Sequence, residues 1–252
     1  MRNVNKVFPP MESVPEKRQI IALIPCWIWV FALFPMFMPI LGLGLWDQSE
    51  VSVWLDIGYH AVNGVVLFLL IRSYLQEEWF MVSVDWRYYL KHVALTVGLI
   101  LGTEFVWIGT LFFYRVNIDY MLECLPVVGM FVSHTPFLVA DLEPFFGTVS
   151  LSVFAPISVC VLFYYGCFAP ICDKKPWLAY LSVAIITLIP PVINILWRGD
   201  AALVMCGYLA HLPVHLLACW SYQKTNNAWT PLISLAIVNL LISIVFPIVL
   251  FR

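Results

Sequence analysis

Long apolar runs alternate with short polar, charged or proline-bearing tracts along almost the whole chain. A bilayer-crossing helix needs roughly 20 mainly apolar residues. Seven runs reach that length, at about 20–45, 52–74, 91–114, 146–171, 177–197, 201–222 and 229–251. No internal repeat is visible. The tract 116–145 is ambiguous. Its stretch VVGMFVSHTPFLVA is apolar, but Pro126, Gly129, His134 and Pro136 interrupt it. It reads as an external re-entrant or interfacial element, with an eighth span as the alternative.

The expected fold is therefore all-α, a polytopic helix bundle. One domain covers 20–252 behind a polar, proline-containing tail, 1–19. Composition agrees: 62% of residues are hydrophobic, 16% aromatic and 11% charged, where soluble domains carry about 25% charged residues. This predicts an integral membrane protein. A net charge of −2 leaves no basic footprint for nucleic acid. The run Ile20–Trp46 exceeds the length of a signal-peptide core and reads as a retained anchor. The seven cysteines form no C-x-x-C pair and mostly lie in apolar runs, as small buried packing residues do.

Orientation follows from the basic residues. With the N-terminus cytoplasmic, the inner tracts collect Arg2, Lys6, Lys17, Arg18, Arg72, Arg87, Lys91, Lys174, Lys175 and Lys224. The outer side receives only Arg115, Arg198 and Arg252. An eighth span would move Lys174 and Lys175 outside. The expectation is N-terminus in and C-terminus out.

Ionisable groups in hydrocarbon are costly, so each is a functional candidate. Asp56, His60 and Asn63 lie at i, i+4 and i+7 and share one helical face; Glu104 stands on the next span. They describe either a polar pocket or interhelical hydrogen bonding that fixes packing. His211 and His215 are one turn apart. However, the residues between them are Leu-Pro-Val, so the general base of H-E-x-x-H is missing, and no third metal ligand is nominated. Neither a metal nor a cofactor is expected, and polar lining of a cavity is the preferred reading.

From the second span onward, several pieces follow in a telling order. HAVNGVVLFLLIRSYLQEEW (60–79) ends a span in a basic, aromatic linker, and WRYYLKHVALTVGLILG (86–102) opens the next. APISVCVLFYYG (155–166) precedes FAPICDKKPWLAYLSVAII (168–186), and YQKTNNAWTPLISLAIVNLL (222–241) closes the series. Over about residues 50–250 this order resembles the CPBP (Abi) family of intramembrane glutamic proteases. That family comprises CAAX-type prenyl endopeptidases and bacteriocin-processing or immunity proteins. The resemblance implies a bacterial plasma-membrane protein and a glutamate–histidine peptidase site.

Carried over position by position, that site is vacated. The paired glutamates fall on Val159 and Cys160, and the arginine on Tyr164 or Tyr165. The second motif runs from Ile186 to Pro190, so its histidine is a proline. The third histidine falls on Leu235, and only the asparagine is kept, as Asn239. None of the substituted side chains serves as a general base at neutral pH. The resemblance therefore implies a catalytically degenerate member, a scaffold or immunity-type regulator with a membrane protein or membrane-associated peptide as partner. Two alternatives stay open. One is an endopeptidase whose site has moved to Glu104 with His60, His211 or His215. The other is a transport or assembly subunit using the Asp56 face, although no paired halves of the transporter kind are visible.

Overall fold

The structure, a computed structural model, describes residues 50–113, 150–172, 175–198 and 201–250. The expected first span at 20–45 and the tract 116–145 lie outside the described residues. Among the described residues the chain is all-helical, with no strand. Helix α1 is Glu50–Leu70, α2 Arg72–Val84 and α3 Trp86–Phe113. A composite rod follows, built from π-helical Ser150–Phe154 (π1), α4 Ala155–Val159, π-helical Cys160–Phe168 (π2) and α5 Ala169–Cys172. Then come α6 Pro176–Arg198, α7 Ala201–Thr225 and α8 Trp229–Leu250.

The helix bounds follow the apolar runs, with differences around the second and third. The second span, read to residue 74, ends as α1 at Leu70; the tract read as a linker after it belongs to the helix α2; and the third, read from 91, begins at Trp86. The boundary of α2 with α1 is a bend rather than a break. The Ile71 N–H still donates to the Leu67 carbonyl at 3.3 Å, and the Leu75 N–H to the Ile71 carbonyl at 3.0 Å. Asp85 makes a true corner. Its N–H closes α2 on the Met81 carbonyl, while its own carbonyl accepts the Tyr88 and Tyr89 N–H groups that open α3.

Proline, expected to disturb the helix at Pro213, leaves α7 continuous. The carbonyl it leaves unbonded is tolerated where neighbouring helices and local adjustments compensate. Pro156 opens α4 but lies within the continuous rod, since π1 runs directly into it, and its missing N–H is accommodated in the same way.

Helix α3 packs against α7 and α8, α6 packs against α7, and α1 packs against π1 and α4. The core runs through Leu67, Ile71, Leu75, Ile100, Val161, Tyr164, Phe168, Val183, Tyr222 and Leu232. Ala179, Ala218 and Cys219 are fully buried among them, small residues of the kind that let helix backbones approach. Helices α1 and π1 approach closely: a Cβ on Gly64 would stand 2.8 Å from the Phe154 Cβ. The outer faces are apolar as well. On α6, Leu181, Ile185, Ile189 and Val192 are exposed at i, i+4, i+8 and i+11. Among the described residues, one stretch, Trp86–Trp107, is long and apolar enough to cross a membrane. Its 22 residues span about 33 Å at 1.5 Å per residue.

Candidate functional site

Two regions compete for attention. The first is the rod 150–172, where the resemblance placed the paired glutamates. Pure α-helix gives way to wider π turns on both sides of α4, a departure that often accompanies functional sites. What fills the rod here is apolar. Cys160 and Tyr164 are fully enclosed, in one cluster with Val161, Cys219 and Leu235. The Tyr164 hydroxyl has no hydrogen-bond partner among the described residues. Cys160, Cys167 and Cys219 are free thiols. Asn239 is half-buried on α8, one turn beyond Leu235. Val159, Tyr165 and Pro190 fall within helices, but their side chains lie outside those described.

The second region is the turn between α7 and α8, and it is polar. Asn226 takes a left-handed φ of 47°, a conformation that Asn tolerates better than most residues. Its N–H donates to the Tyr222 carbonyl at 2.6 Å. Asn227 then acts as N-cap of α8, its Oδ1 accepting the Trp229 N–H at 2.9 Å. The same side chain donates from Nδ2 to the Glu78 carbonyl at 3.0 Å. The Ala228 N–H donates to Glu78 Oε2, and Trp229 Nε1 donates to the Leu75 carbonyl at 2.7 Å. Around this lock, the Tyr74 and Tyr222 hydroxyls meet at 3.2 Å. The Tyr88 hydroxyl donates to the Lys224 carbonyl at 3.0 Å, and that of Tyr180 to Gln223 Oε1 at 2.8 Å. The rings of Trp79 and Trp229 pack edge to face at 4.9 Å.

Glu78 is buried, and desolvation pushes its carboxyl up to about 8, against the lowering effect of hydrogen bonds from Tyr74 and the Ala228 N–H. A neutral or barely charged acid is thus held where it receives the first free N–H of α8. Residue-by-residue reading of the sequence missed it. The signal was present: Leu67, Ile71, Leu75 and Glu78 occupy i, i+4, i+8 and i+11, so an acid continues a core stripe.

The polar candidates are dispersed by comparison. Asn63 on α1, Glu104 on α3 and Ser152 on π1 are buried, and Asn63 Nδ2 and Ser152 Oγ lack partners among the described residues. Asn63 and Ser152 flank the Gly64–Phe154 approach in sequence. Asp56 and His60 lie on α1, with side chains outside those described. His211 and His215 are half-buried on α7, their rings stacked at 6.4 Å and 16°. Among the described residues, no group of three His, Cys, Asp or Glu side chains is placed to hold a metal ion. Chemically, the arrangement offers a sealed apolar centre and a hydrogen-bonded, aromatic turn end. No protein-family model, curated protein or solved structure matches the chain.

Proposed function

We propose that the chain is a polytopic integral membrane protein with a CPBP-like helical frame and no peptidase chemistry, acting as a membrane-embedded binding or regulatory scaffold. The observation that carries this reading is the enclosure of Cys160, Tyr164 and Leu235 in one apolar cluster. Hydrolysis needs a base, a water and an oxyanion donor around one carbonyl. The inherited positions supply packing instead.

Membrane placement draws support from the exposed apolar faces, such as Leu181, Ile185, Ile189 and Val192 on α6, since contiguous exposed apolar surface marks a contact with membrane or protein. It is also supported by the crowding of exposed Trp79, Trp86 and Trp177 with Arg72, Arg87, Lys91, Lys175 and Lys224 at one end. Such a belt of Trp and basic residues marks a cytoplasmic interface. A bacterial plasma membrane, with the N-terminus inside and C-terminus outside, completes the reading. Its partner would be a membrane protein or a membrane-associated peptide that docks on an apolar helix face.

The direct test incubates the purified protein in nanodiscs with prenylated and membrane-spanning peptides. No cleavage is expected, and photo-crosslinking in the native membrane should capture a partner. Cleavage that disappears in Asn239→Ala would overturn the scaffold reading. A second reading, an endopeptidase using Glu104, draws on one observation: this buried carboxyl stands on α3, which packs directly on the histidine-bearing α7. Any hydrolysis that survives Glu104→Gln removes it.

A further inference from the structure

We propose that a slot between the first turns of α3 and α8 seats an acyl chain of an anionic glycerophospholipid, with the lipid phosphate resting on Arg87 and Lys91. The inference rests on the membrane reading above. The slot is a cavity of about 160 Å³ with an apolar wall, lined by Val82 at the end of α2, by Trp86, Leu90 and Val93 of α3, and by Trp229 and Ile233 of α8. An apolar cavity of about 150 Å³ stays dry and accepts a hydrocarbon guest. Trp86 and Leu90 are each more than half exposed, so the slot opens outward rather than into the core. A segment of one acyl chain fits that shape: Tyr89 and Thr230 also line the slot, but the surface it presents is apolar.

Charge selects the headgroup. The Arg87 guanidinium lies over the Trp86 ring, 5.6 Å from its centroid, which puts a cation on the rim of the slot. Lys91 follows one turn later on α3, and both residues are exposed. Lys224 is tied to the same turns through the Tyr88 hydroxyl. Three basic residues thus lie on the turns around the helix start, against the exposed carboxylates of Asp85 at the corner and Glu77 on α2. Guanidinium and phosphate match in geometry, and basic residues beside a membrane attract anionic lipids. Depth agrees as well: α3 and α8 both begin at the Trp-rich, basic end, the level of the headgroups on this reading. An acyl slot rimmed by cations at headgroup depth is the complement of one anionic phospholipid.

The test uses the full chain in detergent micelles doped with dioleoyl phosphatidylglycerol or dioleoyl phosphatidylcholine, with retained lipid read by native mass spectrometry. Phosphatidylglycerol should be retained about tenfold better, from the added pull of two basic side chains. Arg87→Gln with Lys91→Gln should bring it down to the phosphatidylcholine level, and Leu90→Trp, which fills the slot, should reduce retention of both. Val82→Phe fills the same slot from α2 and replaces Leu90→Trp if circular dichroism shows that variant to be unfolded. Millimolar glycerol phosphate should displace neither lipid. A folded Arg87→Gln/Lys91→Gln protein that keeps the preference overturns the proposal. So does a slot-filled variant with unchanged retention, or displacement by glycerol phosphate alone. Extraction of the chain from membranes by alkaline carbonate instead sinks the membrane reading. A chain that stays in the bilayer yet retains both lipids alike sinks only the lipid site.

Discussion

At the turn end, Glu78 is hydrogen-bonded to Asn227 and Ala228 across about 150 residues of sequence, with Glu78 Oε1 and Thr230 Oγ1 left without a partner among the described residues, whereas at the centre Tyr164 buries its hydroxyl with no such bonds beside it. Both regions are sealed from solvent, yet they are stabilised differently. In the first, directional bonds close a helix end that would otherwise leave donors unmet. In the second, shape and apolar contact do the work, and a polar atom is carried at a cost. The contrast teaches where this molecule keeps its specificity. Among the described residues the polar geometry joins α2 to α8, and the rod 150–172 is filled by apolar contact.

The largest expected effect breaks the turn end. Glu78→Ala removes the acceptor of the Ala228 N–H and should cost about 2 kcal/mol, the range for losing a helix cap or a buried partner, read as a lower unfolding midpoint in detergent near pH 6. Glu78→Gln, which keeps an acceptor oxygen, should recover most of that loss. Equal losses in the two variants would show that the hydrogen bond is not what counts.

The same pair of proteins sharpens the comparison through pH. The Glu78 carboxyl is raised from 4.5 to about 8 by burial, so the folded state holds its proton more tightly than the unfolded one. Its contribution is therefore complete below about 4.5 and is lost as pH rises through about 8. The wild-type unfolding midpoint should fall across that window, and the Glu78→Gln midpoint should stay flat relative to it. Parallel profiles would remove Glu78 as the cause.

The smallest effect belongs to the centre. Tyr164→Phe deletes a hydroxyl without a described partner and should leave stability within about 1 kcal/mol of wild type, on the stabilising side. A large loss would mean that the hydroxyl has a partner after all, and the contrast between the two regions would collapse.

Part of the fold was legible in the sequence, because apolar run length and the tracts between runs set where helices lie. The starts at Pro176 and Trp229 fall within a residue of the reading, whereas α1 ends at Leu70 rather than 74 and α3 starts at Trp86 rather than 91. The helix α2 was not legible as such. Arg72, Gln76 and Glu77 make its surface polar, and its buried face shows only once Leu75 and Glu78 are aligned with Leu67 and Ile71. The rod 150–172 hid a different feature. Each π turn rotates later residues away from the 100° rule, so no pattern of apolar positions announced π1 or π2. The enclosure of Cys160 and Tyr164 was foreseeable in kind, since neither position holds a charge. The lock around Glu78 was not foreseen, because its partners lie at the far end of the chain and sequence spacing links neighbours only.

That distance has a consequence for how the molecule is made. Glu78 is synthesised early, and the N–H groups that cover it arrive with the last helix. Until Ala228 is in place, α2 carries an acid that has the Tyr74 hydroxyl but lacks its backbone donor. A chain stopped before Ala228 keeps that acid partly uncovered. Arrival of the α8 start is thus recorded chemically, at a position laid down 150 residues earlier.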